Sequence, residues 1–273
     1  MKLDEYLSRV GLAAPVSRDL AGLTAVHHAH LRAIPYENLD VQLGRPVTID
    51  SPAIYDKIVT RRRGGWCYEM NGLLGWALGE MGFDVTRATG AVVREFKGVA
   101  AEGNHLVLRV QLPEGLYLAD VGFGDGPFDP IRIAPGGFEA AGFGFNLEEA
   151  DPGWWRLRNH KFGGAPCFDF NLECADEAVL RERCEFLQTS PLSPFVQNLT
   201  AQRFVPGGLA ILRGKVLRRV TPDGFTDTVL NTADELLETL ARDFSLDVPE
   251  VATLWPKIGE RHELVMQSAR ERD

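Results

Sequence analysis

Arg61-Arg62-Arg63-Gly64-Gly65-Trp66-Cys67-Tyr68-Glu69-Met70-Asn71 joins a basic run and a double glycine to the start of an apolar helix. From Cys67 onward, Met70, Leu73, Leu74, Ala77, Leu78 and Met81 recur at helical spacing, and Gly82 closes the segment. A cysteine on the first turn of a helix sits where the backbone N–H groups carry about half a positive charge. The arginines before it add positive potential, and both effects favour thiolate, the nucleophilic form of sulfur. The double glycine is expected to let the chain turn sharply and approach a substrate closely. The plainer reading of such a cysteine is a small packed hydrophobe. Its function therefore depends on what the rest of the chain brings to it.

Upstream, the chain reads helical. Leu3, Leu7 and Val10 form a short stripe. Ser17 is the candidate cap of a second helix with Leu20, Leu23, His27, Leu31 and Ile34 on one face, ended by Pro35. Ser51 and Pro52 read as an N-cap and first helical residue, opening a helix through Ile54 and Ile58 that stops at Gly64-Gly65. Downstream, the period changes to two, and strands are expected over 85–94, 105–112, 116–122, 154–158 and 167–173. Turn-rich pieces at 122–130 and at Pro135-Gly136-Gly137 separate them. A helix is expected over 176–187, then strands over 209–213, 215–220 and 226–230. A last helix is opened by the capping box Thr232-Ala233-Asp234-Glu235. Helices first, then strands, then a mixed third imply an α+β fold rather than alternating βαβ units.

A chain of 273 residues suffices for one large domain or for two to three small ones sharing a core. With 45% hydrophobic and 25% charged residues, it has ordinary globular composition, which argues against disorder. Its 29 basic and 38 acidic residues give a net charge of −9, which disfavours a nucleic-acid partner. A small polyanion would need a local basic patch, for which Arg213, Lys215, Arg218 and Arg219 are the candidates. No stretch approaches the roughly 20 apolar residues of a membrane helix, and Glu80 interrupts the longest one, 71–82. The acidic opening residues lack the apolar segment of a signal peptide. Cysteines at 67, 167, 174 and 184 contain no C-x-x-C and suit neither a zinc cage nor a disulfide framework. A cytoplasmic protein without membrane or nucleic-acid partner is expected. Cys167, Cys174 and Cys184 are expected as buried small hydrophobes. In His27-His28-x-His30 only His27 falls on the apolar face, so a core histidine with solvated neighbours is expected rather than a metal site.

His105 opens a strand whose hairpin partner carries Asp120. A two-residue loop, Pro113-Glu114, or a four-residue loop over 112–115 sets Asp120 opposite Val107, one diagonal step from His105. A three-residue loop without a bulge would put the two on opposite faces. A thiol activated by an imidazole that a carboxylate orients is the general layout of covalent acyl transfer. Glu37 and Arg63 form either a brace for the loop before Cys67 or a plain surface ion pair. Phe123, flanked by Gly122 and Gly124, either lines a ligand cleft or packs in the core.

The blocks Arg62 to Asn71, His105-Leu106 and Asp120-Val121-Gly122-Phe123-Gly124 resemble the arylamine N-acetyltransferase signature. Ile34-Pro35-Tyr36-Glu37-Asn38-Leu39 is similar to that family's amino-terminal motif. These blocks span the first half of the chain in the family's order. The second half is similar mainly in length and in the run from Ser193-Pro194-Phe195 to Arg203-Phe204. The resemblance implies a helical domain over 1–83, a central antiparallel β-barrel over 84–188 and an α/β lid over 189–273, with a cysteine-protease/transglutaminase-like core. It implies a catalytic triad of Cys67, His105 and Asp120, with Tyr36, Phe123 and Phe195 facing substrate and no metal. It further implies acetyl-CoA as donor, small aromatic amines or hydrazines as acceptors, and a ping-pong route through acetyl-cysteine. The lid is expected to keep water from that intermediate. Two departures bear on the acceptor. Tyr36 stands where the family usually has phenylalanine, and Asp125-Gly126-Pro127 is acidic where family members carry a basic residue nearby. Competing readings are a transglutaminase-like or amide-synthase acyl transferase using the same triad, and a catalytically silent small-molecule binding protein.

Overall fold

Leu3–Val10 (α1) and Leu20–Ala33 (α2) open the computed structural model, which describes residues 1–270. The cap of α2 is Asp19, whose carboxylate accepts from Gly22 N at 2.8 Å; Ser17, expected in that role, donates to Asp19 at 2.8 Å instead. A carboxylate there is both an acceptor and a charge matched to the helix dipole. A short strand, β1 (Tyr36–Glu37), and a one-turn helix, α3 (Leu39–Gln42), follow. The next helix, α4 (Ser51–Tyr55), starts one residue earlier than expected, with Asp50 as its cap, and widens into a π turn over Asp56–Thr60. α5 (Cys67–Glu80) is buried without a break from Cys67 to Leu74. A helix apolar on nearly every side belongs at the centre of a fold, and the other layers are built around this one.

One layer is an eight-stranded antiparallel sheet. β2 (Asp84–Val92) ends two residues earlier than expected because Val93 turns left-handed, at a φ of 56°, into the short helix α6 (Arg94–Lys97). β3 (His105–Leu112), β4 (Gly115–Ala119) and β5 (Ile131–Arg132) are followed by β6 (Gly136–Ala140) and β7 (Phe143–Asp151). β8 (Trp154–Arg158) and β9 (Cys167–Cys174) complete it, in the order β5-β4-β3-β2-β9-β8-β7-β6. Among the described residues β5 and β6 do not pair, so the expected antiparallel β-barrel is present as a curled half-barrel, open between these two strands. The edge strand β5 contributes only two residues, too few to carry a ladder across the gap. Gly136 and Gly137, expected in a turn, pair with Leu147 and Asn146.

The last third holds α7 (Glu177–Thr189), α8 (Pro194–Gln197) and four strands, β10 (Thr200–Val205), β11 (Gly208–Arg213), β12 (Val216–Thr221) and β13 (Gly224–Val229). α9 (Ala233–Phe244) and α10 (Trp255–Arg270) end it. Thr232 caps α9, and Glu235 reaches back to Asn231 N at 2.7 Å, one residue beyond the expected box. β1 adds to this sheet's edge, with Tyr36 opposite Gln202, which ties the amino-terminal segment to the last third. The main core joins α2 and α5, through Leu23, Val26, Leu74 and Leu78, to Leu108, Val110, Phe168 and Phe170 of the large sheet. A second core sets Leu212, Leu217, Leu236, Leu240 and Phe244 against Leu39 of α3. No helix among the described residues is long and apolar enough to cross a membrane.

The three histidines of α2 diverge. His27 Nδ1 lies 2.9 Å from Phe128 O, His28 Nε2 lies 2.6 Å from Asp129 Oδ1, and His30 Nδ1 lies 3.1 Å from the Tyr6 hydroxyl. His27 and His30 are both fully buried, so the expectation of a solvated His30 fails. Burial pushes His27 down to about 4 against the pull of the Phe128 carbonyl, and pushes His30 down as well. As pH falls below the ordinary imidazole value, the unfolded chain takes up protons that the folded one refuses. His27 alone then removes about 1.4 kcal/mol per pH unit, down to the region of its folded value. Chemical denaturation as a function of acidity is expected to show this slope, and His27→Gln to reduce it by one proton. An unchanged slope would contradict the assignment.

Candidate active site

The β3–β4 hairpin turns through the two-residue loop Pro113-Glu114, since Leu112 pairs with Gly115 and Leu108 with Ala119. Continued by one residue, that register sets Asp120 opposite Val107, on the face of His105. The two side chains meet, with His105 Nε2 2.7 Å from Asp120 Oδ2. Cys67 and His105 line one cavity of about 850 Å³. Burial works to raise the Asp120 carboxyl. The His105 ring, the Asn71 amide and the Gly122 N–H outweigh it and hold the group below the usual carboxylate range.

Asn71, which local sequence pattern gives no role, belongs to the site as well. It lies one turn after Cys67 on the same helix face. Its Nδ2 donates to Asp120 Oδ1 at 2.7 Å and to Leu106 O at 2.6 Å, and its Oδ1 accepts from Val121 N at 2.9 Å. The helix of the cysteine is thereby tied to the loop of the aspartate and the strand of the histidine. An asparagine four residues after a cysteine, on a mostly apolar, central helix, is the available signal. Gly122 permits the approach, because a Cβ there would lie 2.7 Å from Cys67 Cα and 2.6 Å from Asn71 Nδ2.

The electrostatics of Cys67 differ from the expectation. Arg61 pairs with Asp56 at 2.9 Å, and Arg63 pairs with Glu37 at 2.8 Å and Asp40 at 3.1 Å. The charges of these two are therefore compensated, while Arg62 is exposed and pairs with no carboxylate among the described residues. Burial pushes the thiol up, and the Asp120 charge adds to this while backbone hydrogen bonds from Leu106 and Tyr68 oppose it. Sγ lies 3.9 Å from Asn104 O. The Glu37–Arg63 pair is buried, so it is a brace and not a surface ion pair. It continues through Asp40 to Lys57, and from Lys57 to Glu69 at 2.9 Å, whose carboxylate accepts from Trp66 N at 3.2 Å. The network thus ends on the residue before Cys67. Removing one partner of such a buried pair costs about 3–5 kcal/mol, because the other charge is stranded. Gly64 serves this packing rather than a substrate: a Cβ there would lie 2.1 Å from Pro35 O.

Tyr36, Phe123 and Phe195 all line the cavity. The Phe123 ring stands edge-on to His105 at 5.8 Å and tilts against Phe168 at 4.7 Å; Phe195 is edge-on to Trp66 at 5.2 Å. Burial raises the Tyr36 phenol, which stays protonated. The last third supplies the facing wall, with Ile211, Arg213, Lys215, Lys257 and Arg261. Of the expected basic run, Arg218 is held by Asp227 through two bonds of 2.7 Å, and Arg219 turns away to Asp243 at 2.7 Å. Cys167 and Cys184 are buried, but Cys174 is exposed, because β9 leaves the covered part of the sheet at its end. No cluster of metal-ligating side chains occurs among the described residues.

Residues 19–253 match the N-acetyltransferase family model. The chain is 35% identical over 269 residues to an arylamine N-acetyltransferase of Mycolicibacterium smegmatis, covering 92% of this chain and 94% of the relative. It is 37% identical over 258 residues to the liver isozyme of arylamine N-acetyltransferase from Gallus gallus, with coverage of 90% and 88%. The solved Mycobacterium marinum arylamine N-acetyltransferase superposes with a TM-score of 0.86 at 32% identity, over 94% of this chain and 98% of that one. A structure of the M. marinum enzyme in complex with CoA gives 0.84 at 31% identity, over 95% and 98%. Matches of this breadth place the chain among the acyltransferases. It belongs to the arylamine N-acetyltransferase family.

Proposed function

We propose that this protein transfers the acetyl group of acetyl-CoA to the nitrogen of an arylamine or arylhydrazine, in two steps, through an acetyl-Cys67 intermediate. The observation that carries this reading is the 2.7 Å bond from His105 to Asp120 on the cavity that Cys67 lines. With Asp120 accepting from Nε2–H, the imidazole keeps Nδ1 as its basic nitrogen. A buried thiolate with no cation beside it is disfavoured, so the thiol is activated by passing its proton to that nitrogen. The sulfur then attacks the thioester carbonyl, the bond to the coenzyme sulfur breaks, and the imidazolium returns the proton to the leaving thiolate. In the second step the amine nitrogen attacks acetyl-Cys67, its proton goes to His105, and Cys67 leaves as thiolate. Asp120 stabilises the imidazolium in both steps. In the first turn of α5 the Glu69 N–H is taken by Trp66 O at 3.0 Å, which leaves the N–H groups of Cys67 and Tyr68 as the oxyanion donors, each worth on the order of 3 kcal/mol.

Tyr36, Phe123 and Phe195 are assigned to the aromatic acceptor. Lys215, Lys257 and Arg261, which form no ion pair with a carboxylate among the described residues, are assigned to the coenzyme phosphates. The last third, in this reading, excludes water from the acetyl-enzyme, and the setting is the cytoplasm. Free coenzyme thiol is expected to accumulate through many turnovers only when an aromatic amine or hydrazine is supplied with acetyl-CoA. Turnover of glutamine-peptide amides without acetyl-CoA would instead indicate transglutaminase-like chemistry.

A further inference from the structure

Asp125 is the buried titratable group on the cavity that the proposed reaction does not use. It lies five residues after Asp120, is 3% exposed and lines the same cavity as Cys67, His105, Tyr36 and Phe123. Its Oδ2 accepts from Gly164 N at 2.6 Å and its Oδ1 accepts from Asn159 Nδ2 at 3.2 Å. Both donors are neutral, and no cation among the described residues pairs with it. Its own backbone N–H is a third donor, also neutral, so the carboxylate, with about four lone-pair sites, stays uncompensated. A second acceptor on this cavity is unpartnered. Gln202, opposite Tyr36 in the sheet, has a buried Oε1 with no donor. The wall is short of hydrogen-bond donors and positive charge, which a ligand would have to bring.

Building on the acetyl-transfer reading, we infer that Asp125 sets acceptor specificity: the cavity selects arylamines bearing a second, cationic or N–H-rich substituent and rejects those bearing a carboxylate. Burial pushes the Asp125 carboxyl up to about 6, against the pull of Gly164 N–H and the Asn159 amide. At mildly alkaline pH it is ionised, and an amidinium or ammonium entering the cavity supplies the missing counter-charge. An entering carboxylate meets a like charge.

The test is a competition for one acetyl-enzyme. At mildly alkaline pH, 4-aminobenzamidine and 4-aminobenzoate are offered together with acetyl-CoA, and the ratio of the two N-acetyl products is read. That ratio does not depend on how much enzyme is active or on the first half-reaction, and ring electronics cancel when variants are compared. Asp125→Asn is expected to lower the amidine-to-benzoate ratio by at least about tenfold, the size of one charge acting over several ångströms at an effective dielectric constant of about 20. Asn159→Ala removes a donor and loosens the 159–165 loop without changing charge, and should keep the ratio within about threefold of wild type. An unchanged ratio in Asp125→Asn overturns the inference. So does an equal loss in Asn159→Ala, which would make Asp125 a loop anchor only, and so does a wild type that acetylates the benzoate but not the amidine. Intact mass of the wild type with acetyl-CoA alone separates the two levels. Absence of acetyl-enzyme overturns the acetyl-transfer reading and this inference together, whereas acetyl-enzyme with an unresponsive ratio overturns this inference alone.

Discussion

Asp120→Asn is expected to lower the rate of Cys67 acetylation by about a thousandfold to ten-thousandfold while the protein stays folded. Asn71 Nδ2 and Gly122 N both donate to Asp120 Oδ1, at 2.7 and 2.8 Å. In the variant, the asparagine oxygen must occupy that position, because an NH₂ group there would oppose two donors. The amide nitrogen is then left facing His105 Nε2, where Asp120 Oδ2 stood 2.7 Å away. A donor at that place forces Nε2 to accept, and the ring proton moves to Nδ1, the nitrogen that has to act as base. The charge that stabilises the imidazolium is lost as well. Raising the pH does not restore the tautomer, so the loss should persist across the alkaline range. Rapid-mixing measurement of the acetylation step, with a thermal melt as control for folding, checks this. A rate within about tenfold of wild type would remove Asp120 from the proposed triad.

Cys67→Ala is expected to abolish multiple-turnover release of coenzyme thiol, a loss of at least about ten-thousandfold. The alanine keeps the helix start and vacates only the sulfur, so the proposed coenzyme binding by Lys215, Lys257 and Arg261 on the facing wall should survive. Calorimetric titration with CoA and a turnover assay on the same preparation separate the two effects. Cys67→Ser should fall nearly as far. A serine hydroxyl holds its proton more tightly than a thiol, and burial, which already pushes the thiol up, disfavours the alkoxide further. Turnover in either variant near the wild-type level would show that another group carries the acetyl.

What was legible in the sequence was local. The apolar spacing after Cys67 sets α5, and the alternation on either side of Pro113-Glu114 leaves few registers for His105 and Asp120. The realised register is one of those that put the two on one face. What was not legible depends on partners distant in sequence. Arg61 and Arg63 look like a source of positive potential until Glu37, Asp40 and Asp56 are brought against them. That turns the expected lowering of the thiol into a rise, because burial then acts with less to oppose it. Closure of the barrel could not be read, since it depends on edges as short as Ile131–Arg132. Nor could the pairing of Tyr36 with Gln202, which joins segments far apart in the chain. Pro135-Gly136-Gly137 carries the composition of a turn, yet the glycines enter a ladder at the sheet edge, where tertiary pairing overrides propensity. The role of Asn71 is not legible locally, because its three hydrogen bonds go to segments that periodicity cannot place beside it.

The central claim is that one sulfur accepts and passes on the acetyl group. Brief exposure to acetyl-CoA without acceptor, followed by intact-mass analysis and peptide mapping, addresses it directly. The wild type should gain a single acetyl group, on the peptide containing Cys67, and should lose it on addition of an arylamine as the N-acetylated amine appears. A label on any other residue, or equal labelling of Cys67→Ala, would contradict the account.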